Sequence, residues 1–473
     1  MASPMPSIIA RSLTRGVDAV RGALGSLTWE PALAVVKPVI LDIFSRITVG
    51  TLLLVDEPAG LRSVYGQKPL SKSFGSPSAN SNTRRADVIP SVEVRVKDDA
   101  FWMRLFLFAD MGFAESYMLG EFECADLTAF FQIFIANRDR LNNGTTLFSS
   151  ISGAISSAAR TTNTLSNSLL NISAHYDISN DMFAAFLSED MTYSCPIWSL
   201  QVPPYQREET LNEAQTTKLH RFINGARIKP TDHILEIGTG WGSFAIEAVK
   251  CTRCRVTTLT LSKEQKALAE KRIEAAGFSS RIEVWLMDYR NLPSTVTYDK
   301  IVSIEMLEAV GQEYLGTYFA CIHRLLKRDG IAMFQCITMP EGRHATYSKS
   351  EDFINKYIFP NGYLPSTTQL LDHISKESGG TLIVERVENI GGHYAKTLRL
   401  WRENFLRNFE SVISPALAAG SPQMTQREID VFKRKWVYYF SYCEAGFVTK
   451  TLGDVIITVG REGAMELMEG IPI

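Results

Sequence analysis

Residues 236–242 read Glu236-Ile237-Gly238-Thr239-Gly240-Trp241-Gly242, and this stretch decides the fold. An apolar run, His233 to Ile237, leads into it, and a helical pattern begins near Ser243. Glycines at Gly238 and Gly240 let the backbone turn tightly and approach a ligand closely, beside the free N–H groups of a helix N-terminus. Working outward, further candidate strands are Arg255 to Leu261, Ile282 to Met287, Lys300 to Ile304, Gly330 to Ile337, Leu382 to Glu388 and Val455 to Val459. Helical patterns such as Lys263 to Ala276 and Tyr314 to Leu326 lie between them. That alternation predicts an α/β fold with a doubly wound, mostly parallel sheet. In such sheets the crevice at the strand C-termini takes the ligand.

Glycine spacing alone also suits a dinucleotide, a mononucleotide or a purely structural turn. Two features narrow the choice. Glu236 precedes the first glycine, where it can face a cationic amino-acid cofactor, and Asp288 ends a later strand. This order resembles class I methyltransferases, which implies S-adenosylmethionine.

Composition limits the partners. The chain has 49 basic and 51 acidic residues, a net charge of -2, so a global electrostatic grip on nucleic acid is not expected. Seven cysteines, an odd number, do not form a disulfide framework. Cys251 and Cys254 make a lone CxxC-like pair without a second pair at zinc spacing; they read as reduced thiols, and no metal is expected. The apolar run Val39 to Val55 is broken by Asp42, Arg46 and Gly50, short of the roughly 20 apolar residues of a transmembrane segment. These features predict a cytoplasmic protein. Arg11, Arg15 and Arg21, with Asp18 as the one acid before residue 30, suit either a mitochondrial presequence or a membrane-touching tail.

Four stretches follow: a tail (1–40), a smaller α+β amino-terminal domain (41–140), a Ser/Thr-rich linker (141–172) and a methyltransferase domain (173–473). The amino-terminal domain holds a probable strand at Val92 to Val96, an aromatic segment with Phe101, Trp102, Phe106 and Phe108, and a loop from Ser71 to Arg85.

A wider resemblance runs from residue 173 to 460. Its residues are His175-Tyr176-Asp177, Asn180-Asp181, Met191-Thr192-Tyr193-Ser194-Cys195, Leu259-Thr260-Leu261-Ser262-Lys263-Glu264-Gln265 and Ser303-Ile304-Glu305-Met306-Leu307-Glu308-Ala309-Val310-Gly311. Lys356-Tyr357-Ile358-Phe359-Pro360, Leu364-Pro365-Ser366, His393-Tyr394, Thr397-Leu398, Trp401, Tyr438-Tyr439, Cys443 and Phe447 follow in order. Gly112 to Met118 with Gly120 extends it, less specifically, into the front domain. The chain thereby resembles the cyclopropane-fatty-acyl-phospholipid synthases and the related mycolic-acid cyclopropane synthases.

The resemblance implies cofactor contacts from Gly238, Gly240, Tyr193, Ser194, Thr260, Leu261, Gln265 and Asp288. Asp288 is expected to accept from the adenine amine, and Leu261 to wall the base. It implies a bicarbonate that stabilises a carbocation and accepts its proton. Cys195, Glu308, Tyr439 and the backbone of Ile337 match the anion's donors. Taken singly, Cys195 reads as a small buried hydrophobe, Tyr439 as a core aromatic and Glu308 as a helix-start carboxylate.

One departure stands out. Many members carry His two residues before the Ile, where this chain has Gln335; an amide donates to an anion but does not titrate. Ring closure is the step this puts in question, with a methyl-branched or methylene product as the alternative. Trp198, Phe353, Tyr357 and Phe359 are candidate linings of an acyl tunnel, with core packing as the competing reading.

The expected partner is an unsaturated phospholipid at a membrane surface, met by a peripherally associated protein that the front domain allows to be a homodimer. Two competing functions are methylation of a small-metabolite amine and a non-catalytic lipid-binding protein. The front domain with Cys195, Glu308 and Tyr439 favours lipid over the first, and the glycine loop with Asp288 favours catalysis over the second.

Overall fold

A computed structural model describes residues 30–67, 90–141, 179–199 and 207–472. The tail before residue 30, the Ser71 to Arg85 loop, nearly all of the 141–172 stretch and His175-Tyr176-Asp177 lie outside the described residues.

The described residues fall into two units. One runs to Asp126 and includes 136–141; the other joins Leu127–Ile135 to everything from 179 onward. The sequence reading had placed residues 127–135 in the front domain and had the tail run to residue 40.

In the smaller unit, helix α1 (Glu30–Ser45) begins inside the expected tail and buries Leu33, Val36, Ile40 and Phe44 on one stripe. Spacings of three and four residues put those side chains on one helical face. Strands β1 (Thr51–Asp56), β2 (Leu61–Gly66) and β3 (Ser91–Val96) are followed by helix α2 (Ala100–Leu119) and strand β4 (Phe122–Cys124). The sheet order is β2-β1-β3-β4, with β1 parallel to β3 and the other pairs antiparallel. Phe101, Trp102, Phe113 and Phe122 form its aromatic core.

The larger unit contains α3 (Leu127–Ala136, of which Leu127–Ile135 belong here), α4 (Asn180–Phe186), α5 (Leu211–Gly225), β5 (His233–Ile237), α6 (Ser243–Thr252), β6 (Arg255–Thr260), α7 (Lys263–Ala275), β7 (Ile282–Leu286) and β8 (Tyr298–Ile304). Then come α8 (Leu315–Leu325), β9 (Leu326–Thr338), α9 (Thr367–Glu377), β10 (Leu382–Asn389), α10 (Gly392–Asn408), α11 (Gln426–Val448) and β11 (Gly453–Arg461). The sheet order is β10-β11-β9-β8-β5-β6-β7. Pairs from β7 to β9 are parallel, while β11 is antiparallel to both β9 and β10. This is the doubly wound class I methyltransferase-type sheet that the alternation predicts.

Local chemistry fixes the helices beside the site. A capping box between Thr210 and Glu213 starts α5, and the Ser262 hydroxyl accepts from the Gln265 N–H to start α7. The chain goes from β5 outward to β7, then returns to β8 on the other side of β5. The C-terminal end of β5 is thus the topological switch point, and the glycine loop sits there. Among the described residues no helix is long and apolar enough to cross a membrane.

Candidate functional site

The glycine loop is tied down on one side and open on the other. Gly238 and Thr239 N–H groups both donate to the Leu259 carbonyl, at 3.0 and 2.9 Å. Gly240 has φ 51, a left-handed backbone, and a Cβ built there meets nothing within 4 Å. Trp241 is buried, and its indole N–H donates to Asn180 on α4 at 2.8 Å. Space is therefore kept above the loop while its flank is anchored.

The residues around that space suit a cofactor with a cationic amino-acid end and an aromatic base. Glu236 is buried between β6 and β8, and its Oε2 has no hydrogen-bond partner among the described residues. Burial pushes its carboxyl up to about 8, despite help from Thr258 and Lys218. An arriving ammonium group would supply the missing partner. Leu261 is 74% exposed, an apolar side chain left open beside Thr260 and Gln265, which bond each other at 2.8 Å. Tyr193 and Ser194 sit nearby in sequence: the Tyr193 hydroxyl bonds the Tyr439 hydroxyl at 2.9 Å, and Ser194 Oγ accepts from buried Lys218 at 2.6 Å. Asp288 follows β7, with Arg290 clamping both its oxygens at 2.9 and 2.6 Å and holding its carboxyl below the usual range. Its carboxylate is already paired, a partner the sequence reading did not foresee.

The anion side is arranged differently. The Cys195 N–H donates to Glu305 Oε1 at 2.6 Å, and the Ile337 N–H donates to Glu308 Oε1 at 2.6 Å. Gln335 Nε2 faces the Cys195 carbonyl (3.2 Å), Glu305 Oε1 (2.7 Å) and Asp454 Oδ2 (2.9 Å), three acceptors for two protons. The Tyr394 hydroxyl donates to Glu305 Oε2 at 2.7 Å. The Cys195 thiol is fully buried near the Pro196 and Ile390 carbonyls, and burial keeps it a neutral thiol.

Three carboxyls with one buried lysine cannot all be charged. Burial raises Glu305, while hydrogen bonds from Asp454, Cys195 and Tyr394 hold it down. Asp454 is pushed far up by burial and by Glu305, and its Oδ1 faces no donor among the described residues. A proton on Asp454 shared toward Glu305 satisfies both, leaving Glu305 as the anion. Glu308 is raised to about 8 by burial and by Glu305, so it is mostly protonated at neutral pH.

A bicarbonate does not fit this donor set. Two backbone N–H groups and the Gln335 amide are already engaged by carboxylates, and the tyrosine pair keeps a single proton to offer. The expectation that Gln335 reaches an external anion is corrected in the same way: its amide is used on Glu305 and Asp454.

Of the candidate tunnel residues, Trp198, Phe353 and Tyr357 are buried. Trp198 donates to Thr397 at 2.9 Å, and the Phe353 ring lies 4.5 Å from that of Tyr438. Phe359 is 41% exposed, with its ring 6.2 Å from Tyr193 and 6.0 Å from Tyr439. It is the member of the four placed to meet a ligand. Cys251 lies beside His220 and Glu247, whose other oxygen takes Lys250 at 3.0 Å; Cys254 is buried. A cleft of about 810 Å³ lined by Arg221, Met333, Arg386 and Glu388 contains none of the residues assigned above to the cofactor or the anion.

Sequence reasoning missed Glu305, Asp454, Lys218 and Tyr394 as site residues. Lys218 carried a signal: with Gln215 it lies on the buried face of α5, among Ala214, Leu219 and Phe222. A polar side chain on an apolar stripe must have a partner inside.

The comparisons agree with this geometry. Mycolic acid cyclopropane synthetase is the family matched, over residues 163–456. Tuberculostearic acid methyltransferase UfaA1 of Mycobacterium tuberculosis is 36% identical over 368 residues, covering 78% of this chain and 82% of the relative. Cyclopropane-fatty-acyl-phospholipid synthase of Escherichia coli is 32% identical over 379 residues, covering 79% and 90%. The crystal structure of the mycolic acid cyclopropane synthase CmaA1 complexed with SAH and CTAB superposes with a TM-score of 0.51 at 28% identity, covering 62% of this chain and 98% of that one. With its glycine loop at the switch point and its family elements in order, the chain belongs to the S-adenosylmethionine-dependent family of lipid methyltransferases and cyclopropane synthases.

Proposed function

We propose that the chain transfers a one-carbon unit from S-adenosylmethionine to the cis double bond of an unsaturated phospholipid acyl chain. The observation that carries this reading is the adjacency, through Ser194 and Cys195, of an open cofactor loop and a buried carboxylate ringed by tyrosines. The bound cofactor supplies an electrophilic methyl group on a sulfonium.

The chain's own residues do the rest. Glu236 receives the cofactor's ammonium, and Leu261 covers the base, with Gly238, Gly240, Thr260, Gln265 and Asp288 around them. An isolated alkene is a weak nucleophile, so attack on the methyl builds positive charge on carbon. Tyr193, Tyr394 and Trp401 present ring faces beside that position, with centroids 5.1 to 5.8 Å from Trp401. Aromatic faces stabilise a cation without quenching it. Glu305 adds a negative charge nearby.

Proton loss then gives a cyclopropane or a methylated alkene, each one CH2 unit heavier than the substrate. The similarity to cyclopropane-fatty-acyl-phospholipid synthase supports the ring; the similarity to a methyltransferase supports the alkene product. Exposed Val35, Leu61 and Val64 on the smaller unit support contact with a lipid surface.

The test is expression in bacteria rich in unsaturated phospholipids. Acyl chains gain one CH2, and proton NMR separates ring from alkene. Unchanged acyl masses with folded, cofactor-binding protein would refute the reading.

A further inference from the structure

The donors expected to hold an external anion converge on a side chain of the protein itself. Glu305 accepts from the Cys195 N–H (2.6 Å), the Gln335 amide (2.7 Å) and the Tyr394 hydroxyl (2.7 Å). We propose that Glu305 is a built-in replacement for the bicarbonate, and that its carboxylate is the base that takes the proton from the methylated acyl cation. This rests on the alkene-methylation reading above.

Backbone geometry supports a placed group rather than a filler. Glu305 has φ 46, a left-handed conformation that a side-chain-bearing residue keeps only where its surroundings over-determine it. Its N–H donates to the Gln335 carbonyl at 2.9 Å, so Gln335 holds both the backbone and the carboxylate of Glu305. That double use gives Gln335 a positioning role that a titrating imidazole would not fill. Glu308, three residues on, is the poorer acceptor because it already carries a proton at neutral pH.

A carboxylate with three donors is a weak base, but little basicity is needed. A C–H next to a carbocation is strongly acidic, so position and exclusion of water govern the step. The alkene π pair forms the new C–C bond to the methyl carbon, and the S–CH3 pair returns to sulfur. Glu305 then takes a proton from a C–H beside the cationic carbon, and that C–H pair becomes the closing C–C bond or a new π bond. Glu305 is left neutral and gives its proton to water as product leaves.

The experiment uses the full chain with S-adenosylmethionine and vesicles of cis-unsaturated phospholipid, in CO2-free buffer and again with added bicarbonate. Wild-type turnover is expected to be the same in both. Glu305→Gln is expected to lower turnover by roughly 10²- to 10⁴-fold with cofactor affinity unchanged. Glu305→Gly suits the left-handed backbone and frees the donors, so added bicarbonate should restore part of its turnover. In parallel, ¹³C-bicarbonate NMR should show binding to Glu305→Gly and none to wild type.

Loss of wild-type turnover on CO2 removal, wild-type binding of bicarbonate, or a fully active Glu305→Gln would overturn the proposal. A wild type that binds cofactor but never adds CH2 refutes the lipid-alkene reading instead. The bicarbonate-binding arm still decides whether Glu305 occupies the anion's place.

Discussion

The two halves of the site are built on opposite plans. Around the glycine loop, groups are left wanting: an open face at Gly240, an unpartnered Glu236 oxygen and an exposed Leu261. Around Glu305, the donors the resemblance assigns to an anion are already spent on carboxylates. Polar groups are costly to bury unpaired, so an unsatisfied cluster points to a ligand that arrives, and a satisfied one to a ligand already present. The first half receives a cofactor; the second carries its anion in the sequence.

This contrast can be broken or sharpened from several sides. The largest effect is expected from Gly240→Val. A β-branched residue in left-handed backbone costs roughly 1–2 kcal/mol, and its side chain enters the kept space. Cofactor affinity should fall more than about tenfold by calorimetry, with the fold retained by circular dichroism. Unchanged affinity would mean the space is not the cofactor's.

Next comes Asn180→Ala, which strands the buried Trp241 indole N–H. The loss should be about 1–3 kcal/mol of stability, read as a lower midpoint in urea, with weaker cofactor binding alongside.

Glu236 offers a proton count. Its carboxyl, raised to about 8, is mostly neutral in free protein at pH 7 and ionises when an ammonium arrives. Cofactor binding at pH 7 should therefore release close to one proton per site, and affinity should rise as pH approaches 8. Calorimetry in buffers of different ionisation enthalpy measures this, and Glu236→Gln should abolish the release.

The smallest effect at neutral pH belongs to Glu308→Gln. A carboxyl raised from its ordinary value to about 8 on folding stabilises the folded state below the unfolded pKa and loses that advantage as pH rises through about 8. Wild-type stability should thus decline between about pH 4.5 and 8, and the variant should flatten part of that slope. Denaturant midpoints across this range test the sign. Identical slopes would place Glu308 outside the buried cluster.

Much of the fold was legible because parallel strands buried on both faces leave continuous apolar runs. His233 to Ile237 is a strand with those bounds, and the helix after Lys263 announces itself by its Ser262 cap. The smaller unit was harder: β2 is mostly exposed and β4 has three residues, so neither leaves a period to read. In the site, glycines and flanking residues mark the cofactor side because their constraints are local. Glu305 gives no local sign, since its φ and its three donors come from segments beginning near residues 195, 335 and 394. Asp288 shows the converse, where a residue read as free to meet the cofactor has a partner two positions away.

The most direct measurement follows a deuterated methyl group from S-adenosylmethionine into vesicles of cis-unsaturated phospholipid, read by mass spectrometry of the released acyl chains. The account predicts that the label enters the acyl chain: two deuterons retained if the proton leaves from the transferred methyl, three if it leaves from the chain. A protein that binds the cofactor yet leaves the acyl chains unlabelled would contradict it.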